Sequence, residues 1–293
     1  MTAVDRDPNW TLDRTHLTSS GEVRWAVFGP ADAPPLVLVH GTPFSSYVWR
    51  DPARALAGRH RVYVWDLPGY GVSEKRADQD LSLDAQARVL TELLDHWGLA
   101  GDAPGAEPAV VAHDFGGCVA LRAHLLHGAR YSRLALVDAV AVAPWGSPTY
   151  RLLGEHADVF RQLPDDLHEA LVHRYLASAS HQGLHPVLHD RLVAPWLGEA
   201  GRDSFYRQIE QNDQRFTDDI QVRYGELELP VLVCWGAEDT WIPVARAHEL
   251  AALIPGSQLC VIEGAGHLVQ EDAPAALTAV LDRFLAPRLP DRT

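Results

Sequence analysis

The stretch "VVAHDFGGCVALR" (110–122) poses the chemical question of this chain: an apolar run stops at His113, a carboxylate follows at Asp114, and Gly116 and Gly117 open a helical pattern. A junction of strand, sharp turn and helix usually presents a nucleophilic serine, which the turn lifts to where a substrate can reach it. Here the side chain is an acid. Taken alone, Asp114 reads either as a capping carboxylate, common where a strand gives way to a helix, or as a nucleophile. A carboxylate can attack saturated carbon, displacing halide or opening an epoxide, and the product is an ester of its own side chain that water can cleave. Serine in the same displacement would leave an ether, with no carbonyl for water to attack.

Such a group needs a rigid scaffold, and the flanking patterns supply one. "GEVRWAVFG", "PPLVLVHG" (34–41) and "RVYVWDLPGYG" (61–71) read as strands. The last two are almost continuously apolar, as for strands covered on both faces of a parallel sheet. Between 81 and 99, Leu83, Ala87, Leu90, Leu93 and Leu94 fall on one helical stripe behind the candidate caps Ser82 and Asp84. "PAVVAHD", a helix from about Gly117 and the strand "SRLALVDAVAV" continue the alternation. Strand, helix, strand, helix implies crossovers and an α/β class with a doubly wound, mostly parallel sheet. From Pro144 to about Glu228 the pattern turns helical, broken at "APWGSP" and "APWLGEAG". "LPVLVCWGAEDTWIP", "VARAHELAALI", "SQLCVIEGAGH" and "APAALTAVLDRFLA" then restore the alternation. The expected organisation is a core of residues 1–143 and 229–293 carrying an inserted helical lid, 144–228.

Composition limits the partners. In 293 residues, 25 Lys and Arg stand against 39 Asp and Glu, a formal charge of −14 that repels phosphate backbones and anionic lipid. Nucleic acid and membrane are therefore not expected partners. "MTAVDRDPNW" lacks the basic and apolar blocks of a leader, so a cytoplasmic location is the default. Cys118, Cys234 and Cys260 lie in apolar surroundings without CxxC spacing and read as reduced packing residues.

In order along the chain, "VHGTPFSSYVW", "DLPGYGVS", "HDFGG", "WGAEDTWIP" and "GAGHLVQEDAP" resemble the α/β-hydrolase fold family. The likeness is to its aspartate-nucleophile branch, which includes epoxide hydrolases and haloalkane dehalogenases, and it spans nearly the whole chain. It implies that Asp114 is the nucleophile and that His267, which could otherwise be a surface loop histidine, activates water. Asp239 is then the acid orienting His267, with Asp138 in "LALVDAV" as the alternative. The backbone N–H groups of Thr42 and Phe115 form the implied oxyanion hole.

The resemblance also bears on the subclass. Haloalkane dehalogenases typically follow the nucleophile with Trp, and fluoroacetate dehalogenases with Arg; Phe115 can neither donate to halide nor grip a carboxylate. Epoxide hydrolases use lid tyrosines to donate to the leaving oxygen. Tyr206, followed by Arg on a lid helix, resembles one of these, with an aromatic staple as its other reading. Tyr150 and Tyr175 are second candidates, and His40 and Trp241 further substrate contacts. The lid histidines 156, 168, 173, 181, 185 and 189 lack the spacing of a metal site, so neither metal nor cofactor is expected. The expected activity is hydrolysis of a small hydrophobic epoxide to a diol, water being the second substrate. Dehalogenation is the alternative, and a non-catalytic binding protein on the same fold the alternative of another class.

Overall fold

A computed structural model describes residues 10–100 and 107–286; residues 1–9, on which the reading of the N-terminus chiefly rests, lie outside the described residues. The strands are β1 (Arg14–Thr18), β2 (Gly21–Phe28), β3 (Pro35–Val39), β4 (Arg61–Trp65), β5 (Ala109–His113), β6 (Arg133–Val137), β7 (Val231–Gly236) and β8 (Gln258–Ile262). They form one sheet in the order β1-β2-β4-β3-β5-β6-β7-β8. β2 runs antiparallel to both β1 and β4, and β4 through β8 are mutually parallel in their pairings. β3, β4, β5, β6 and β7 are buried along almost their whole lengths, as their unbroken Val and Leu runs require. β1 was not legible beforehand: "RTHLT" is an edge strand that is mostly exposed, so it carries no apolar signature.

Helices α1 (Arg50–Leu56), α2 (Leu83–His96) and α3 (Phe115–His127) follow β3, β4 and β5. The Leu83, Ala87, Leu90, Leu93, Leu94 stripe of α2 is buried, and Ser82 caps the helix by accepting from the Ala85 N–H. Between β6 and β7 the chain forms α4 (Pro148–Glu155), α5 (Ala157–Phe160), α6 (Asp165–Ala177), α7 (Pro186–Val193), α8 (Gly198–Glu210) and α9 (Arg215–Gln221). Helices α10 (Ala245–Leu253), α11 (Val269–Asp272) and α12 (Pro274–Leu285) complete the layers. Among the described residues no helix is long and apolar enough to cross a membrane.

The winding reverses at β3, which lies between β4 and β5. In an open parallel sheet, the loops leaving two such strands diverge to opposite faces and open a crevice at their C-terminal ends. Thr42 follows β3 and Asp114 follows β5, so the topology alone brings the two together at that crevice. The helical segment between β6 and β7 is fastened to the core loops through α8 and the turn after it, where Ser204 Oγ donates to the Gly69 carbonyl at 2.7 Å and Asn212, just past the helix, accepts from the Leu83 N–H at 2.7 Å.

Candidate active site

Asp114 occupies the tip of the turn with φ 53 and ψ −121, a left-handed conformation that costs a side-chain-bearing residue of the order of 1–3 kcal/mol. The surroundings hold it there. Its N–H donates to the Val137 carbonyl at 3.1 Å, and its own carbonyl accepts from Gly117 and Val140 at 2.9 and 3.0 Å. Two glycines allow the close approach. A Cβ on Gly41 would lie 2.3 Å from Asp114 Cβ, and one on Gly116 would lie 2.6 Å from the His40 carbonyl oxygen. The Thr42 N–H donates to Asp114 Oδ1 at 2.7 Å. Phe115 begins α3, where backbone N–H groups have no intrahelical acceptor.

His267 faces this carboxylate from the loop after β8. Its Nε2 lies 3.2 Å from Asp114 Oδ2, out of line for a hydrogen bond, and its Nδ1–H donates to Asp239 Oδ2 at 2.8 Å. Asp239 is anchored in turn: its Oδ1 accepts from the N–H groups of Trp241 and Ile242 at 2.8 and 2.9 Å. Burial opposes a charge on His267, but the Asp239 charge and the contacts with Asp114 prevail and raise its pKa well above the ordinary value. His113 packs on the His267 ring at 4.9 Å and donates through Nε2 to the His267 carbonyl. Burial, reinforced by the neighbouring His267, pushes the His113 pKa down to about 3, so this ring is neutral.

Asp138 is completely buried beside the same pair. Its Oδ1 accepts from the Gly236 N–H at 2.8 Å, whereas Oδ2 has no donor among the described residues. Burial, then the adjacent Asp239 charge, raises its pKa well above the carboxylate range. Two carboxyls this close in a dry interior favour one shared proton over two charges. Ligand atoms of Asp138, Asp239 and His267 approach within 4.8 Å of one another, but the 2.8 Å separation of Asp239 and His267 is that of a shared proton. Asp138 makes no direct hydrogen bond to His267.

The aromatic residues divide. Trp241 stacks on His267 at 4.9 Å, on Tyr175 at 4.7 Å and on Phe44 at 5.9 Å, and its indole N–H is spent on Ser178 Oγ. Phe115 meets Trp145 and Tyr150 edge-on. The Tyr150 hydroxyl makes a long 3.4 Å contact to the Ile209 carbonyl; that of Tyr175 has no hydrogen-bond partner among the described residues. Burial, and then the Asp114 charge, raises the Tyr175 pKa. Tyr206 is not brought to this centre. His168 Nε2 donates to the Trp196 carbonyl, which leaves Nδ1 to accept the Tyr206 proton at 2.9 Å. The physical reason is the phase of α8: Ser204 and Gln208, one turn apart, face the core loops, and Tyr206 between them turns toward α5 and α6. His40 likewise offers no free ring nitrogen to the centre. Its Nδ1–H donates to the Gly41 carbonyl and its Nε2 accepts from the Leu67 N–H, so both nitrogens are spent on backbone. Sequence reasoning missed Phe44 and His113, although both lie inside the quoted motifs, and Gln208, whose only signal was its helical phase with Ser204.

A family model for the alpha/beta hydrolase fold matches residues 34–274. A crystal structure of an alpha/beta hydrolase fold protein from Burkholderia ambifaria is 45% identical, covers 94% of this chain and 98% of its own, and superposes with a TM-score of 0.88. "Haloalkane dehalogenase 2" of Mycobacterium bovis is 26% identical over 287 residues, 91% of this chain and 93% of that one. The structure of epoxide hydrolase CorEH is 22% identical, covers 94% and 98% of the two chains with a TM-score of 0.78, and at that identity attests the fold alone. The chain belongs to the alpha/beta hydrolase fold family and is a hydrolase of that fold.

Proposed function

We propose that this hydrolase works through a covalent ester on Asp114, and that it opens hydrophobic, uncharged epoxides to diols beneath a lid formed by the helices between β6 and β7. The observation that carries the reading is a carboxylate, rather than a hydroxyl, at the strained tip of the turn, with Thr42 N–H on Oδ1 and His267 beside Oδ2. Oδ2 attacks the epoxide carbon and the ring C–O bond breaks. The Tyr175 hydroxyl, with Tyr150 beside it, donates its proton to the oxygen that leaves carbon. Then His267 Nε2 takes a proton from water, and the resulting hydroxide adds to the Asp114 carbonyl carbon. The negative charge appears on Oδ1, where Thr42 N–H already points and Phe115 N–H is the second donor. Collapse expels the diol oxygen, which takes the proton held by His267, and the proton of the acid left on Asp114 makes up the one that Tyr175 gave away, so carboxylate, imidazole and phenol are all restored.

The aromatic surroundings suit an apolar substrate, and stacking of Trp241 on His267 keeps the base in a dry setting. Halide release is the second reading, favoured by the dehalogenase relative. Against it, the indole N–H groups of Trp241, Trp145 and Trp196 are already bonded to Ser178, Thr217 and Pro43. Holding a leaving halide requires such donors. The test is a single turnover in heavy-oxygen water, run in parallel with styrene oxide and 1-bromobutane. Label in the Asp114 carboxylate together with diol supports the proposal. Label with bromide release and no diol moves the activity to dehalogenation, and label confined to product rejects the ester.

A further inference from the structure

The segment His40–Pro43 carries the Thr42 N–H, and it is held from the inserted helices as well as from the core. Gln208, on the buried face of α8, is fully inaccessible. Its Nε2 donates to the Phe205 carbonyl at 3.0 Å, which fixes the sense of the amide and points Oε1 at the loop. Oε1 accepts from Thr42 Oγ1 at 2.7 Å and from the Tyr70 hydroxyl at 2.9 Å, so both of its lone pairs are used. One residue away, Trp196 Nε1 donates to the Pro43 carbonyl at 2.7 Å, and its ring meets Tyr70 edge-on at 5.3 Å. The His40 ring holds the Gly41 carbonyl from the other end. Each residue from Gly41 to Pro43 thus has its own fastening, two of them supplied by the insertion.

We propose that Gln208 is a positioning residue: by clamping the Thr42 side chain it aims the Thr42 N–H at Asp114 Oδ1, so that the hydrolytic site is complete only when α8 is seated. Its kinetic consequence rests on the ester reading above. The physical argument is one of cost. A buried primary amide is expensive unless every donor and acceptor is engaged, and Met, of the same length, would pack there more cheaply. What the amide adds over Met is a fixed angular restraint on Thr42, 2.7 Å from the side-chain oxygen on one side and 2.7 Å from Asp114 on the other. The negative charge of the hydrolytic intermediate develops on the atom this N–H faces. Ester formation uses the opposite oxygen. Gln208 therefore acts on the second step.

The experiment uses the full chain with Gln208→Met, Thr42→Val and both together, and two readouts. The first is amide hydrogen exchange of the resting protein across residues 40–44. Either single change raises exchange there by about tenfold, while exchange in β5 and β6 stays at parent level. The second is rapid-quench mass spectrometry with styrene oxide. Gln208→Met slows ester hydrolysis by about tenfold, a fraction of the 10²–10³ that loss of an oxyanion donor costs, and alters ester formation by less than about threefold. The double variant is no slower than the worse single one, because both changes break the same bond. Equal slowing of both steps, additive single effects, or unchanged exchange across 40–44 overturns the proposal. If Gln208→Met does not fold, Thr42→Val breaks the same bond from the core side and is read in the same way. If the parent forms no ester on Asp114, the ester reading fails and the exchange measurement decides the positioning role by itself.

Discussion

The sharpest test of the ester mechanism is Asp239→Asn set against Asp138→Asn. Asp239 Oδ1 takes two backbone N–H groups at 2.8 and 2.9 Å, so an Asn there must keep its oxygen on that side and turn its NH2 toward His267. His267 Nδ1, now 2.8 Å from a donor, has to become an acceptor and move its proton to Nε2. The atom beside Asp114 Oδ2 then carries hydrogen where water needs a lone pair. A wrong tautomer of this kind costs about 10⁴ in rate in the serine protease triad, and positioned base catalysis is worth about 10²–10⁴ in general. We expect ester hydrolysis to slow by about 10³, equivalent to about 4 kcal/mol, with ester formation far less affected. Asp138→Asn keeps the acceptor for the Gly236 N–H and replaces the buried acid proton with an N–H, so turnover stays within about fivefold of the parent. Rapid quench with intact-protein mass spectrometry reads both outcomes: the Asp239 variant accumulates an adduct of substrate mass and the Asp138 variant does not. Adduct in the Asp138 variant alone refutes the assignment and moves the orienting acid to the end of β6; adduct only in the double variant makes the two acids interchangeable.

Further outcomes follow from the same geometry. His267→Gln forms the ester and stalls, so its mass rises by that of one substrate; steady turnover would remove His267 from water activation. Tyr175→Phe slows ester formation by about 10²-fold. Tyr206→Phe leaves that rate unchanged and costs about 1 kcal/mol in denaturant unfolding, for the lost His168 bond; the reverse pattern would return the donor role to Tyr206. Asp138, with its folded pKa raised, binds its proton more tightly when folded, so it lowers stability as pH climbs above the unfolded value of about 3.9. The stability of Asp138→Asn relative to the parent should therefore be level below about pH 4 and grow as pH rises, and a gap independent of pH would contradict the protonated state. Gly41→Ala places a methyl 2.3 Å from Asp114 Cβ, and is expected to abolish activity and cost about 1–3 kcal/mol, read by activity and thermal melting.

What was legible beforehand depended on how local its cause is. The buried strands announced themselves because a parallel sheet covered on both faces demands unbroken apolar runs. Asp114 announced itself because a turn that sharp tolerates few neighbours other than glycine. The β1 edge strand has no such demand on its side chains and left no mark. Tyr206 was legible as an aromatic on an inserted helix, but one position of helical phase, about 100°, decides whether such a ring faces the core or its fellow helices. His40 sat in the right motif with its ring turned inward, a matter of rotamer and of the Leu67 N–H, which lies far along the chain. Between Asp239 and Asp138 the sequence could not choose by type, since both end strands that flank the same loop. The resemblance favours Asp239, and in the structure it is the Asp239 carboxyl that accepts from His267.

In the proposed ester mechanism the electrostatics of the centre also set the timing. In the resting protein His267 lies between Asp239 on Nδ1 and Asp114 near Nε2, and together they hold it protonated against the burial that disfavours charge. Ester formation removes one of these two charges by converting the Asp114 carboxylate into a neutral acyl group. Burial is unchanged and His113, neutral with its pKa near about 3, adds no compensating charge. The balance on His267 therefore shifts toward the neutral imidazole just when a base is required, and not before. Asp239 remains to stabilise the imidazolium that forms as water gives up its proton. On this reading the pH dependence of ester hydrolysis follows a histidine pKa lower than that of the resting protein, since its rate rises with pH as His267 deprotonates within the ester. The two values are separable, the first by single-turnover kinetics across pH and the second by NMR titration of the unliganded protein. Coincidence of the two would mean that Asp114 exerts no hold on His267, and the 3.2 Å approach between them would then carry no part of the timing.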